Sequence, residues 1–218
     1  MKASLPILAA LSVASLLASA PAQLPSPVKV TGVVQPVPGP TICLQGETHR
    51  LGCTNVFLKS NVVDLDALVG QNVELTGFDV GITCNVVQVT SAAPPLPFLE
   101  WCGTPRLGCI LKFKVCPGGL GFAWLFLADA PGYLPINPVT GTVLLFLVPP
   151  PILVGSGPIG AGCLEVVVPI PFDGNLIGQE FFLQGARIDI GPVGPLQLTN
   201  AACLTITPFL PPCGPTNC

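Results

Sequence analysis

The sequence predicts an all-β protein, a small β-barrel followed by an antiparallel β-sandwich, with disulfides stapling both. Two observations predict this class. The 218 residues include 24 Gly and 27 Pro, a content that argues against long helices and favours short strands joined by tight turns. The ten cysteines are an even number, which is typical of a disulfide framework made in an oxidising compartment.

The composition excludes two broad classes of protein. Half of the residues are hydrophobic and only 9% are charged, so the chain has enough apolar side chains to form a core and is not a disordered polymer. The formal net charge is −3, and no basic stretch is present. Nucleic-acid binding needs a basic footprint, and we therefore expect no nucleic-acid partner.

The N-terminus predicts a signal peptide over residues 1–22. Lys2 precedes an apolar run from Leu5 to Leu17, which is too short to span a membrane. Ala18-Ser19-Ala20 and Ala20-Pro21-Ala22 are competing cleavage sequences, and the second is favoured because the first would leave proline at the new terminus. We expect a secreted, periplasmic or cell-surface protein with no transmembrane segment after cleavage.

The cysteine spacing favours disulfides over a metal site. No pair has the C-x-x-C spacing, and the single histidine, His49, offers no Cys/His cluster. Short loops favour a Cys43–Cys53 bridge and a pair within Cys102, Cys109 and Cys116, although connectivity stays open. The predicted disulfide residues are Cys43, Cys53, Cys84, Cys102, Cys109, Cys116, Cys163, Cys203, Cys213 and Cys218.

The first unit is expected over residues 28–91. It contains strands at Val28–Val34 and Val56–Ser60, a helical turn at Asp64–Gly70, and two further strands around Val73 and Val86. Asp64 can cap the turn and Gly70 can end it. The run VFLKS followed by VDLDALVGQNVELTG resembles the OB-like units of exported bacterial proteins, which implies a small OB-like barrel.

The domain boundary is predicted at residues 92–98. Three prolines within Pro94–Pro97 make this segment a stiff, extended linker. The second unit is expected over residues 99–208, and residues 209–218 form a Pro/Cys tail. Cys213 or Cys218 would be a covalent linkage point if either paired with another chain.

The second unit reads as a series of short strands. Leu111, Phe113 and Val115 alternate with lysines, which predicts a strand with one wet face. Fully apolar strands are expected at Phe122–Leu127 and Thr142–Val148. Turn residues predict a turn at Ala130–Gly132 and a glycine-rich loop at Gly155–Gly162. Strands at this spacing are typical of a sandwich.

The stretch from Leu164 to Ile206 closes the sandwich. Alternation predicts three or four strands, with turns at Asp173–Asn175 and Gly191–Pro195. The adjacent Phe181 and Phe182 point to opposite faces, so their strand is expected to be covered on both sides.

The closing stretch also carries a resemblance to a family. Its shared pattern is Pro-x-Pro, Leu-[Ile/Val]-Gly, an aromatic with Leu-Gln, an Asp turn and Leu-[Ser/Thr]-Asn-Ala. Here these are Pro169–Pro171, Leu176–Gly178, Phe182–Gln184, Asp189 and Leu198–Ala201. The pattern resembles the C-terminal β module of uncharacterised secreted proteins from planctomycete-type environmental bacteria. The resemblance implies fold and export and no assigned activity.

The chain lacks the usual catalytic residues. A serine or cysteine hydrolase needs a histidine base, and His49 lies in a polar segment expected to be an exposed loop. No G-x-S-x-G occurs. Asp64 and Asp66 are the nearest to a carboxylate pair, but capping and exposure on the helical turn explain them. We therefore predict no catalytic residues and no enzyme.

Binding sites are weakly indicated. Asp173–Asn175 and Asp189 are the best candidates for loop calcium, although turn formation explains them and no cofactor or metal is predicted. Gly155–Gly162 lacks the G-K-[ST] of a phosphate loop. Trp101 and Trp124 could line a sugar platform, but Trp101 is expected to pack on a disulfide and Trp124 in the core.

These observations favour a structural or adhesive interaction protein of the cell envelope or extracellular space. Apolar residues in excess of two modest cores indicate a surface for self-association or for an unknown protein or polysaccharide partner. The alternative is a carbohydrate- or peptide-binding module that uses the face of the OB-like barrel.

Overall fold

The computed structural model describes residues 25, 27–39, 43, 45–116, 120–137, 139–160, 162–190 and 196–214. The predicted signal peptide, the turn predicted at Gly191–Pro195 and Cys218 lie outside the described residues. The regular structure within them is β-strand, apart from two single-turn 3-10 helices. The all-β class is confirmed.

The first five strands form the barrel. They are β1 Pro27–Pro36, β2 His49–Leu51, β3 Val56–Lys59, β4 Asn72–Asp79 and β5 Asn85–Ala93. The sheet closes in the order β1-β2-β3-β5-β4, and β3 and β5 are the one parallel pair. The 3-10 turn η1, Asp66–Leu68, lies between β3 and β4. This arrangement is OB-like, as predicted.

Period-two alternation explains the barrel. Val28 and Val30 of β1, Leu58 of β3 and Leu75 of β4 are fully buried, whereas residues between them on the same strands face outward. Beside η1, the Asp64 carboxylate accepts the Ala67 N–H at 3.3 Å, so Asp64 stabilises the turn.

The next strands form two facing antiparallel sheets and one hairpin. The three-stranded sheet has the order β12-β7-β6, the four-stranded sheet β11-β8-β13-β14, and the hairpin consists of β9 and β10. The bounds are β6 Phe98–Gly103, β7 Ile110–Cys116, β8 Gly121–Ala128, β9 Pro131–Asn137, β10 Gly141–Leu145, β11 Ile152–Ile159, β12 Leu164–Pro169, β13 Glu180–Asp189 and β14 Gln197–Thr205. A second 3-10 turn, η2, spans Gly174–Leu176.

The sandwich core lies between the two sheets. Phe113 of β7, Leu125 of β8 and Leu183 of β13 are buried there together. On the outer face of β7, Lys112 and Lys114 contact Glu165 at 2.8 and 3.4 Å. The hydrogen bond from Lys112, supported by Lys114, lowers the pKa of Glu165. The predicted strand with one wet face is confirmed.

The central position of β13 confirms the prediction for the two adjacent phenylalanines. This strand lies inside the four-stranded sheet, between β8 and β14. Phe181 packs against the sandwich core, and Phe182 packs on the other face with Ala128 and Leu145. Both faces of the sheet are therefore covered here.

The glycine-rich loop predicted at Gly155–Gly162 is wrong over most of its length. Residues up to Ile159 belong to β11, which pairs with β8. A Cβ atom on Gly155 would lie 2.7 Å from a methyl of Val166, and one on Gly157 would lie 3.2 Å from Leu164. Glycine occurs here because β12 packs closely over the strand, not because the chain turns.

The turn predicted at Ala130–Gly132 is correct only at Ala130, which lies between β8 and β9; Pro131 and Gly132 already belong to β9, which pairs with β10. Proline is tolerated as the first residue of a strand, where its missing N–H breaks no ladder. The strand predicted at Thr142–Val148 ends at Leu145. The three prolines Pro149 to Pro151 cannot donate to a sheet, and β10 stops before them.

Four disulfides have both cysteines among the described residues. They are Cys43–Cys84, Cys53–Cys203, Cys109–Cys213 and Cys116–Cys163, with Cα–Cα distances of 5.7, 5.2, 5.6 and 4.6 Å. Cys102 is also disulfide-bonded, and no described cysteine is free. The prediction of a disulfide-stapled fold is confirmed.

The short-loop pairings expected from the sequence are wrong. Cys109 precedes β7 and Cys116 is its last residue. An extended strand rises about 3.3 Å per residue, so the two cysteines lie roughly 20 Å apart. Cys102 lies opposite Lys112, in the middle of that strand. Cys43 precedes β2 and Cys53 follows it. Cys43 is bonded to Cys84 and Cys53 to Cys203, not to each other.

The barrel and the sandwich share a buried junction. Leu144 of β10 and Ala201 of β14 belong to the barrel core. The disulfide between Cys53 and Cys203 crosses the same junction. Ala92 and Ala93 of the predicted linker lie in β5. Its three prolines lie in the short segment between β5 and β6. The connection thus lies beside an interface rather than between separated bodies.

Two buried amide side chains, those of Gln184 and Asn200, form hydrogen bonds with backbone groups of neighbouring strands in the second unit. Gln184 accepts the Leu144 N–H at 2.9 Å and donates to the carbonyls of Thr142 and Thr199 at 3.0 and 2.9 Å. Asn200 accepts the Leu99 N–H at 2.8 Å and donates to the Leu99 carbonyl at 3.1 Å. Buried backbone groups that would otherwise be orphaned are thereby paired.

Candidate interaction surface

The single histidine is buried, and the prediction of an exposed loop residue is wrong. His49 is 3% exposed and lies in β2, where it pairs with Leu58 of β3. Its Nδ1 lies 2.8 Å from Thr48 Oγ1. Its Nε2 lies 3.3 Å from Asp66 Oδ1, close enough for an electrostatic contact but without hydrogen-bond geometry.

These contacts lie apart from the cavities of the described part of the chain. Asp66 is 91% exposed at its side chain, so water screens its carboxylate. Neither His49 nor Thr48 nor Asp66 lines any of the four cavities described below. Asp64, the second carboxylate of the sequence pair, is engaged by the backbone of η1.

The candidate calcium residues have local partners. Asp173 caps η2 by accepting the Asn175 N–H at 3.0 Å. Asp189 forms an ion pair with Arg187, two residues away on β13. Among the described residues, no three Asp, Glu, His or Cys side chains cluster in a way that could hold a metal ion.

The tryptophans do not form a flat platform. Trp101 lies on the edge strand β6 and is 36% exposed. Trp124 is on the outer face of β8 and only partly buried, so the prediction that it is a core residue is wrong: Ala123 and Leu125 take the inward positions. Its ring is tilted by 50° against Phe122, with centroids 5.0 Å apart.

The most unusual surface feature surrounds the connection from β10 to β11. No charged residue occurs in the sequence between Asp129 and Glu165. Several apolar side chains in this stretch are exposed, and we call the five that flank the three prolines the β10–β11 loop surface: Phe146, Leu147, Val148, Ile152 and Leu153. Single exposed apolar residues are ordinary, but a contiguous set of this kind marks an interaction site.

The local backbone explains why this surface stands away from the core. The Phe146 N–H donates to the Ala130 carbonyl at 3.0 Å, just beyond the end of β10. The prolines that follow have no N–H and cannot extend the sheet. Phe146, Leu147 and Val148, which precede the prolines, are therefore left outside any sheet, whereas Ile152 and Leu153 begin β11 at the edge of the four-stranded sheet.

Shallow cavities border the β10–β11 loop surface. One of about 360 Å³ is lined by Phe146, Leu147 and Val148 together with Leu134 of β9. Another of about 240 Å³ lies between Leu147 and the outer face of the four-stranded sheet. Cavities with mostly apolar linings, next to exposed apolar side chains, are suited to accept side chains from a partner.

A partly buried tyrosine links the β9–β10 hairpin to the barrel through a hydrogen bond. The Tyr133 hydroxyl of β9 donates to Asp79 Oδ2 of β4 at 3.1 Å. Burial and the neighbouring Asp79 carboxylate raise the pKa of the Tyr133 phenol well above its usual value. The phenol therefore remains a neutral donor at neutral pH.

The barrel face offers a second, smaller surface. Arg50 of β2 and Phe57 of β3 are direct neighbours, as are Lys59 of β3 and Gln88 of β5, and all four point away from the barrel core. The Cys43–Cys84 disulfide ties the β1–β2 loop to the β4–β5 loop beside them. OB folds bind ligands between these two loops.

Comparison with protein-family models, with curated proteins and with solved structures finds no match to this chain. The described residues include no helix with the length and apolar character needed to cross a membrane.

Sequence reasoning anticipated an excess of apolar surface but did not locate it. Thr142–Val148 was expected to be a strand throughout, which would have covered Phe146 to Val148. The signal that could have located the surface is the uncharged stretch interrupted by Pro149 to Pro151. An apolar strand ended by consecutive prolines has an unpaired end.

Proposed function

We propose that the protein is an exported, non-catalytic structural or adhesive module that associates through its β10–β11 loop surface with a second copy of itself. The observation that carries this proposal is the set of five exposed apolar side chains in a stretch without charge. Leaving such a set in water is unfavourable, and burial against a partner relieves it.

The disulfides support the exported location. Four bridges link distant parts of the chain, and one of them joins the barrel to the sandwich. Bridges of this kind persist in oxidising compartments and are rare in a reducing cytosol. The apolar N-terminal segment expected to be a signal peptide is consistent with the same location.

The absence of charge supports self-association as the mode of binding. A two-fold interface places the same patch of each copy against the other. A patch that carried a charge near its centre would bring like charges together, whereas the β10–β11 loop surface carries none. The net negative charge of the molecule is distributed outside it.

The non-catalytic role is supported by the state of the groups that chemistry would need. The only histidine is buried in a strand, and its partner carboxylate is hydrated. The acidic residues considered for catalysis or metal binding are engaged in turns and in an ion pair.

Sedimentation velocity at increasing protein concentration tests the proposal. We expect reversible dimerisation of the wild type and at least about tenfold weaker association for Val148→Lys, since a buried unpaired ammonium is costly. Val62→Lys is the matched control: Val62 is 74% exposed and lies on the barrel, and Val148 is 73% exposed. A wild type that stays monomeric at every concentration contradicts the proposal.

The barrel face favours a second candidate function, the binding of an extracellular polysaccharide. The pairing of Arg50 with Phe57 combines hydrogen-bond donors with an aromatic ring at the position where OB folds bind oligosaccharides. Binding to an array of plant, algal and bacterial glycans tests this candidate, with Phe57→Ala expected to abolish the signal. An array without signal for the wild type eliminates it.

A further inference from the structure

A cavity of about 160 Å³ lies between the two sheets of the sandwich, at the end where η2 crosses. Leu111 and Phe113 line it from the three-stranded sheet, and Leu183 and Leu204 line it from the four-stranded sheet. Val154 of the edge strand β11 and Val168 of the edge strand β12 also line it.

Every residue that lines this inner cavity is apolar. A buried water needs two to four polar partners, and the lining side chains offer none. An engineered cavity of roughly 150 Å³ with a similar lining stays dry and binds benzene. The inner cavity is therefore suited to a hydrocarbon group rather than to water or a polar ligand.

The segment 171–177 covers the inner cavity and is fixed at both ends. Ile170 exchanges backbone hydrogen bonds with Gly108 and Cys109, both at 2.9 Å. At the other end, the Gly178 N–H donates to the Ile206 carbonyl at 2.8 Å, and the Ile206 N–H donates to the Gln179 carbonyl at 2.9 Å. Between these anchors, Leu176 of η2 lines the cavity.

A second cavity of about 130 Å³ adjoins the first. The two share Leu127 and Phe181 in their lining, so these side chains separate them. The second, outer cavity continues to Ile152 of the β10–β11 loop surface and to Asp129, the only charged residue in its lining. Leu127 and Phe181 therefore stand between an apolar cavity inside the sandwich and an outer cavity lined in part by Asp129.

We infer that displacement of the Phe181 side chain joins the two cavities into one path, which binds a linear aliphatic chain with its hydrocarbon end in the inner cavity under Leu176 and an uncharged or cationic end beside Asp129. Two adjoining cavities with mostly apolar linings favour an elongated chain over a compact ring. The Asp129 carboxylate repels an anionic end group, which distinguishes the ligand from a fatty acid in its ionised form. The inference rests on the cavities and not on the proposed self-association, although Ile152 belongs to both sites.

Calorimetric titration with 1-hexanol, 1-octanol and 1-decanol at neutral pH tests the inference. We expect saturable binding that becomes about fourfold tighter for each added CH2 until the path is full. Octylammonium is expected to bind more tightly than octanoate, and Asp129→Asn is expected to reduce that preference. Absence of saturable binding, or affinity that does not depend on chain length, would overturn the inference.

Two variants locate the site within the sandwich. Val154→Phe fills the inner cavity and is expected to weaken 1-octanol binding at least tenfold, whereas Val167→Phe, at an exposed position of β12, is the matched control. Phe181→Ala removes the side chain between the cavities and is expected to extend the chain length over which affinity rises. If Val154→Phe and Phe181→Ala both bind the alkanols as the wild type does, the alkanols bind elsewhere and the inference is overturned.

Discussion

At the scale of the residue, the polar side chains of this protein serve the fold. Gln184 and Asn200 are 2% and 5% exposed: Gln184 links β13 to the hairpin and to β14, and Asn200 links β14 to β6, in each case through backbone hydrogen bonds. Both belong to the sequence pattern that resembles secreted bacterial β modules, at Leu-Gln and at Asn-Ala. Their positions in that pattern have a structural explanation and mark no binding site.

Tyr133 provides a prediction at this scale. Because burial and Asp79 raise its pKa, the folded protein holds the phenolic proton more tightly than the unfolded chain does. The resulting stability is complete below the unfolded pKa of about 10 and falls as pH rises above it. Tyr133→Phe should cost about 1–2 kcal/mol at neutral pH through the lost hydrogen bond, and this difference should shrink at higher pH.

Urea unfolding of both proteins across the alkaline range measures that difference. The chain has a single tyrosine, so the ultraviolet absorbance of tyrosinate reports the ionisation of this group directly. A stability difference that stays constant above about pH 10, or a phenol that titrates at its ordinary pKa, contradicts the prediction.

At the scale of the element, alternation identified strands reliably where one face is buried and the other is wet. The strand with Leu111, Phe113 and Val115 is an example, since its lysines face water. Glycine and proline misled the prediction at β9 and β11. Turn propensity describes a residue's own backbone, whereas Gly155 is required by a methyl group of Val166 on another strand.

The β2 strand shows the same limit for a polar residue. His49 lies in a segment rich in polar residues, which is typical of a loop, yet closure of the barrel pairs it with Pro36 and Leu58. A strand of three residues has too few positions to show a period. The burial of the histidine follows from barrel closure, a long-range event.

At the scale of the whole molecule, the junction makes the barrel and the sandwich interdependent. Leu144 and Ala201, contributed by the second unit, complete the barrel core. The packing of β10 and β14 on the barrel does not result from the short connection between β5 and β6, because both strands come much later in the chain. Folding of either unit is thereby coupled to the other.

The Cys53–Cys203 disulfide provides a prediction at this scale. Its cysteines are 150 residues apart, so the bridge restricts the unfolded chain strongly. Replacing both with serine should lower the free energy of unfolding by about 2–4 kcal/mol while leaving one cooperative transition, because Leu144 and Ala201 still pack in the barrel core.

Chemical denaturation followed by tryptophan fluorescence and circular dichroism checks this expectation. Replacing Cys43 and Cys84, whose bridge lies within the barrel, is the control for the general effect of removing a disulfide. An unchanged midpoint, or separate transitions for the two probes, is the contrary result.

The all-β class, the disulfide stapling and the order of the two units could be predicted from local periodicity, turn residues and composition, which act over a few residues. The OB-like barrel is what the resemblance of Val56–Ser60 and Val63–Gly77 implies, and the closed five-stranded sheet agrees with it. The tertiary structure decided which cysteines pair, where His49 and Trp124 lie, and which apolar side chains stay exposed. Each of these depends on contacts between residues far apart in the chain, which local patterns do not encode.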